Sequence, residues 1–251
     1  MKNTHKSRFK QFAQASGIGH MRSRLCLSLM LIGPLCMGAT NAFSQAQSSV
    51  QITPQISYTQ ALADDAGGRH EQARKLFDAL SSTELKTDTA VPSAVNLVLL
   101  ERYADARKAF DGIASSATPR DAAYAQVWQL WLSARTWQGK PNELRKHLKQ
   151  QARGMQGKDA VHQALIDLYA GKGSTEKVFA AIESMPVTDV ARRDLRAESA
   201  FFAGGFAQYV AADKAAALQL YQREYPNSSV SIERPLIERA IKTAARRDQR
   251  L

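Results

Sequence analysis

The sequence predicts an all-α fold: a stack, or solenoid, of about five helical hairpins closed by a C-terminal helix. Three observations predict it. First, His70 to Leu80 and Tyr103 to Ile113 both contain Ala-Arg-Lys-x-Phe-Asp and stand 33 residues apart, and self-similarity at such a period marks stacked helical hairpins. Second, Ala73, Phe77 and Leu80 fall at i, i+4 and i+7, so they share one helix face. Ala106, Phe110 and Ile113 repeat that face. Third, apolar helical runs alternate with Gly, Pro and polar turn residues through the rest of the chain. A lone hairpin cannot bury such a stripe, so its neighbours must cover it. Arg74, Lys75 and Asp78 are expected on the opposite, watered side.

Residues 47–56 are rich in Gln and Ser, contain Pro54 and read as a linker. The first hairpin is Tyr58 to Ala66 and Arg69 to Leu80, with Gly67-Gly68 at its turn. Ser81 to Pro92 is polar and reads as a connection. The second hairpin spans Ser93 to Ser115, with Ala94 to Leu100 as its first helix and Glu101-Arg102 where a turn glycine would stand. Pro119 suits a helix start. The third hairpin, Ala122 to Arg153, carries Trp128, Trp131 and Leu132 before Gly139, and Leu144 and Leu148 after it. The fourth, Asp159 to Met185, has Leu165, Ile166 and Tyr169 before Gly173, then Val178 and Ile182, and Pro186 stops it. The fifth, Val190 to Tyr225, contains Phe201, Phe202, Gly204 and Gly205, then Ala217, Tyr221 and Tyr225 at four-residue steps. A last helix, from Ile232 to about Arg247, gathers Leu236, Ile237, Ala240 and Ile241 on one side. It reads as a cap over the final apolar face, within a closing segment of residues 229–251 that ends in a basic tail.

The Ala-x-x-x-Phe-x-x-Leu/Ile stripe resembles the second helix of a tetratricopeptide (TPR) repeat, and Gly68 stands where that family places its turn glycine. Trp128, eleven residues before Gly139, and Tyr169, four before Gly173, match two further positions of the pattern. Ala217-x-x-x-Tyr221-x-x-x-Tyr225-Pro226-Asn227-Ser228 resembles TPR units of bacterial cell-envelope proteins. The resemblance covers about residues 57–228. Equivalent positions drift, with 33 residues from Ala73 to Ala106, 38 from Ala106 to Leu144 and 34 from Leu144 to Val178, where a strict TPR keeps 34. The resemblance implies an α-α superhelix whose first helices line a concave groove for a partner's helix or extended segment. On that assignment Tyr124, Trp128, Arg135, Tyr169 and Arg196 are the groove residues. The group resembled, periplasmic TPR adaptors, implies a non-catalytic scaffold that binds other envelope proteins. A structural subunit of a secretion or pilus assembly is the alternative.

The N-terminal 46 residues support that address. Lys2, Lys6, Arg8, Lys10, Arg22 and Arg24 precede the apolar run Leu25 to Met37, and small residues follow. This is the layout of an export signal, cleaved after Ser44 or Ala46, with Met21 as an alternative start. The run is too short for a comfortable membrane span. Cys26 and Cys36 are the two cysteines, so the mature chain would carry no thiol. Gly33-Pro34-Leu35 departs from the small-residue pattern before a lipidated cysteine, so anchoring through Cys36 is not expected. The formal charge is +11, but all 23 acids lie after residue 46, where 28 cations face them. A surplus of five there argues against nucleic acid as a partner.

No sequence feature carries chemistry. His70-Glu71 begins like a zinc-protease helix, but Arg74 stands where the second His belongs. His70 reads instead as a solvated turn edge, and His147 and His162 as helix-surface residues. Gly171-Lys172-Gly173-Ser174-Thr175 lacks the order of a phosphate loop and reads as a turn, with Ser174 or Thr175 capping the next helix. Glu198-Ser199 resembles the Glu-Ser motif of lytic transglycosylases, whose Glu is a general acid. That family's Gly-Leu-Met-Gln motif is absent here. Lys140, Arg145, Lys146, Lys149 and Arg153 read as a solvated basic face. No catalytic residue, metal ligand or cofactor is expected, and the sequence names no oligomeric state.

Overall fold

The computed structural model describes residues 53–115, 118–229 and 231–248. The export-signal reading of residues 1–46, with Cys26 and Cys36, lies outside them. Among the described residues the fold is all-α. Its helices are α1 (Pro54–Ala66), α2 (His70–Leu80), α3 (Lys86–Leu99), α4 (Tyr103–Ala114), α5 (Pro119–Arg135), α6 (Pro141–Gln151), α7 (Ala160–Tyr169), α8 (Thr175–Glu183), α9 (Asp189–Tyr209), α10 (Lys214–Glu224) and α11 (Arg234–Asp248), with a 3-10 turn at Tyr225–Ser228. No described helix is long and apolar enough to cross a membrane.

Two expected boundaries move. Residues 53–56 of the expected linker belong to α1 and its cap: Thr53 accepts from the Ile56 N–H, and Pro54 takes the first helical position, where a missing N–H costs nothing. The expected connection Ser81–Pro92 is mostly helix: α3 starts at Lys86 and runs through Pro92. Proline inside a helix frees the carbonyl four residues back. Here that carbonyl is Asp88, and the Tyr58 hydroxyl of α1 donates to it at 3.4 Å. A tertiary partner replaces the lost ladder bond.

Consecutive helices pair as predicted, and the turns explain how. Gly68 at φ +78°, Glu101 at φ +59° and Gly171 at φ +73° hold the same left-handed corner. In each, the following N–H returns five residues: Arg69 to Asp64, Arg102 to Leu97 and Lys172 to Asp167, at 2.8–2.9 Å. This is the Schellman closure of a helix C-terminus. Glu101 therefore serves in the second pair as Gly68 does in the first, 33 residues on, at the strain of a β-carbon in left-handed backbone.

The repeated stripe is buried in both copies. Ala73, Phe77 and Leu80, like Ala106, Phe110 and Ile113, lie in the interior. Lys75 and Asp78 are in water as expected. Arg74 is not. It is 6 % exposed, and its guanidinium donates to the Ser93 carbonyl at 2.9 Å and the Ser93 hydroxyl at 2.7 Å on α3. The equivalent Arg107 donates to Ser133 and Thr136 at the end of α5, each at 3.1 Å. The motif's arginine thus fastens each second helix to the first helix of the next pair. The stripe left it on the helix flank, and the neighbouring helix covers that flank.

The junction after the first pair is unusually polar. Ala61, Ala73 and Phe77 form a small core of their own, separate from the continuous core that runs from Val91 to Ile237. Across the gap the buried Asn96 amide donates to the Asp65 carboxylate at 2.8 Å and to the His70 carbonyl at 2.9 Å. His70 binds Asp65 through Nδ1 at 2.9 Å, so it is a bonded junction residue rather than a solvated edge. Removing one partner of a buried polar contact strands the other at about 1–3 kcal/mol. Arg74→Ala is therefore expected to raise amide hydrogen exchange throughout α1 and α2 while leaving α5 and α9 protected. Uniform loosening of all helices would contradict a polar hinge here.

Beyond that junction the order is not strictly serial. α5 packs on α7 and on α9, and α9 packs on α5, α7, α8, α10 and α11. The two longest helices form the centre. The last helix covers α10 as expected of a cap, with Ile237 and Leu236 buried, and it also touches α9 and reaches back to α1.

Candidate functional site: an aromatic centre, a cleft and a buried acidic cluster

Two glycines let α9 pack closely on its neighbours, Gly204 against α10 and Gly205 against α5. Gly204 and Gly205 lie inside α9, where glycine costs roughly 0.5–1 kcal/mol relative to alanine. A β-carbon on Gly204 would stand 2.3 Å from Tyr221 Cε1, and one on Gly205 would stand 2.4 Å from Trp131 Cδ1 and Nε1. Gly205→Ala should therefore destabilise by about 1–3 kcal/mol through overpacking, against its helix propensity. A denaturation midpoint at or above wild type would refute this packing.

Into that approach go the aromatics. Trp128 is fully buried. Its ring stacks on Phe110 at 5.0 Å and meets Phe201, Phe202 and Trp131 at 5.1, 5.2 and 5.4 Å. Tyr124 meets both Trp128 and Phe202 edge-on. Tyr169 is buried and donates to the Phe202 carbonyl at 2.8 Å. Three of the expected groove residues, Tyr124, Trp128 and Tyr169, thus occupy the interior. The reason is that α9 packs directly on α5 and α7 and fills the space a groove would need. Trp137 sits in the α5–α6 turn, stacked on the exposed His147.

Arg196 is a staple. It grips Glu224 with two nitrogens at 2.6 and 2.9 Å, and Glu183 at 2.5 Å, tying α8 and α10 to α9. The Glu224 side chain is 1 % exposed. Its pKa is lowered: burial pushes it up, and the bonds from Arg196, Arg223 and Asn227 outweigh that push.

Arg135 faces open space. A cleft of about 450 Å³ lies between α5, α9, α10 and α11. Trp131 and Phe201 line it, and Leu236 and Ala240 of α11 form another wall. The Arg135 guanidinium is held between the Tyr103 ring at 5.0 Å and the Tyr209 ring at 5.5 Å. No carboxylate stands within ion-pair distance of it among the described residues. Lys214 and Arg239 also border the cleft, and its one acid, Glu101, lies 3.8 Å from Arg239.

A second assembly joins the start of α11 to the centre. Glu233 is buried and accepts from the Tyr124 and Ser231 hydroxyls. Glu198, 7 % exposed, places Oε1 3.4 Å from His162 Nε2, at ion-pair distance but without a hydrogen bond. Asp159 caps α7 by accepting from the Val161 and His162 N–H groups, and the same oxygen meets His162 Nδ1 at 2.9 Å. His162 is therefore a buried partner of two carboxylates, not a surface residue. Burial disfavours its charge, but Asp159 and Glu198 outweigh that and raise its pKa to about 9. Asp159 falls to about 2, the His162 bond prevailing over its own burial. Burial, then the Glu198 charge, lifts Asp194 to about 7, with Arg120 opposing. Asp194 retains some exposed area, but protein atoms crowd its carboxyl. Burial, then Glu198, also raises Glu233. No group of His, Cys, Asp and Glu suited to a metal ion exists among the described residues.

The sequence carries one partial sign of this assembly: Asp194 and Glu198 stand i and i+4 on one helix. It gave none that Glu233 would join them. The Gly171 to Ser174 segment is a turn, with Ser174 capping α8. The basic stretch on α6 is exposed as expected. Compared with known proteins, the chain matches no family model, and no curated protein matches it.

Proposed function

We propose that this chain is a non-catalytic, TPR-like α-α superhelical scaffold, exported to the periplasm, that holds another protein of the cell envelope. The observation that carries the reading is the repeat itself. Two copies of Ala-Arg-Lys-x-Phe-Asp bury the same stripe and send the same arginine to the next pair. Units built to stack on one another present extended surfaces for partners. With Tyr124, Trp128 and Tyr169 inside, the accessible member of the expected set is Arg135 at the cleft. Arg196 is engaged by Glu183 and Glu224. The lytic transglycosylase reading is not favoured, because a general acid must reach a glycosidic oxygen and Glu198 is buried beside His162.

The test is crosslinking of tagged protein in the periplasm followed by purification. A discrete set of envelope proteins is expected, lost with Arg135→Glu and kept with Lys146→Glu on the exposed face of α6. Recovery at one fixed stoichiometry would instead favour the assembly-subunit alternative. An unchanged set with Arg135→Glu, or no envelope protein at all, would end the scaffold reading at this cleft.

A further inference from the structure

We infer that the cleft between α5, α9, α10 and α11 binds a small amphipathic monocarboxylate, with its carboxylate on Arg135 and its apolar body over Trp131 and Phe201. The size fits: small-molecule sites run from about 300 to 1,000 Å³, and this cleft measures about 450 Å³. The charge fits as well. Arg135, Lys214 and Arg239 border the cleft against the single acid Glu101, and Glu101 already lies near Arg239.

Arg135 carries the anion specificity. A guanidinium has five N–H donors in a planar fork that matches a carboxylate. The Tyr103 and Tyr209 ring centroids lie 5.0 and 5.5 Å from it, and the Tyr103 hydroxyl takes one of its N–H donors, which leaves others for an acceptor. These contacts hold the guanidinium in place before a ligand arrives, which lowers the entropy lost on binding. The floor is aromatic: Trp131 and Phe201 lie 5.2 Å apart. A planar or branched apolar body suits them.

The experiment titrates the purified protein with 1-naphthylacetate and, in parallel, with the neutral 1-naphthylacetamide, read by tryptophan fluorescence and calorimetry. The acid is expected to bind with a Kd on the order of 0.1–1 mM and the amide about tenfold more weakly. Arg135→Gln should remove that difference, and Ala240→Trp, which fills the cleft, should weaken both. The acid–amide comparison needs no variant, so it decides the matter even if a substitution unfolds the chain. Equal binding of the two probes overturns the inference, as does no binding of the acid to wild type, or an unchanged preference in folded Arg135→Gln. Crosslinking to an envelope protein without naphthylacetate binding would remove this inference and leave the scaffold reading standing.

Discussion

Trp128→Ala is expected to lose about 3–5 kcal/mol of stability, the largest effect of any single truncation in this fold. In a chain of this size that lowers the thermal midpoint by about 6–20 °C. The magnitude follows from position. Trp128 is fully buried and touches rings from α4, α5 and α9 at once. Its removal leaves a void bordered by rigid aromatics, which cannot collapse to fill it. Trp137→Ala is the matched control. It removes the same side chain from a turn, where it stacks on an exposed histidine and donates to the Lys140 carbonyl at 3.2 Å. Its cost should stay below about 1 kcal/mol. Similar losses for the two variants, measured by calorimetry, would mean that α5 and α9 are not joined through Trp128.

The second large effect is in pH. Asp194, lifted to about 7, and Glu233, also raised, are protonated in the fold at pH values where the unfolded chain has released those protons. Their contribution is complete below their unfolded pKa values near 4 and is lost as pH rises through the folded values. His162 has the same sign. It is raised to about 9, so its contribution is present below about 6.5 and lost on the way to 9. Asp159, lowered to about 2, acts in the opposite direction, and its stabilisation is lost only as pH falls below about 4. Stability should therefore peak near pH 4–5 and decline toward pH 9, where many proteins instead hold a plateau between about pH 5 and 8. One proton's difference corresponds to about 1.4 kcal/mol per pH unit. Urea denaturation at pH 5, 6.5 and 8 checks the slope. Glu233→Gln removes the charge and keeps an oxygen acceptor for one of the two hydroxyls, its amide N–H facing the other, so it should flatten the decline. A wild-type stability that is constant or rises from pH 5 to 8 would show that these groups are not buried together.

Helix positions were largely legible, because they follow from local rules. Periodicity located the stripes Ala73-Phe77-Leu80 and Ala106-Phe110-Ile113, and turn chemistry located Gly68 and Ser174. The exceptions were positions where a distant group overruled a local preference. Pro92 read as the end of a connection, but Tyr58 supplies the donor its helix lacks. Arg74 read as solvated, but Ser93 and Asn96 receive it. The candidate site was less legible. Arg135 was identified on its helix, while the cleft that gives it meaning is built from segments as far apart as Val98 and Ala244. Tyr124, Trp128 and Tyr169 fit the groove positions of the repeat pattern but lie in the interior, because a helix face is groove or core according to what packs on it.

The sequence by itself determined an all-α chain, the pairing of its helices and the stripe each pair must bury, since apolar spacing and turn residues act over a few residues. Only the tertiary structure decided that α9 would pack on α5 across three intervening helices, that Glu233 would meet Tyr124 109 residues away, and that Arg135 would face a cleft. Those outcomes depend on the fit of large rings against Gly204 and Gly205, and on shared burial of charges, neither of which any single segment encodes.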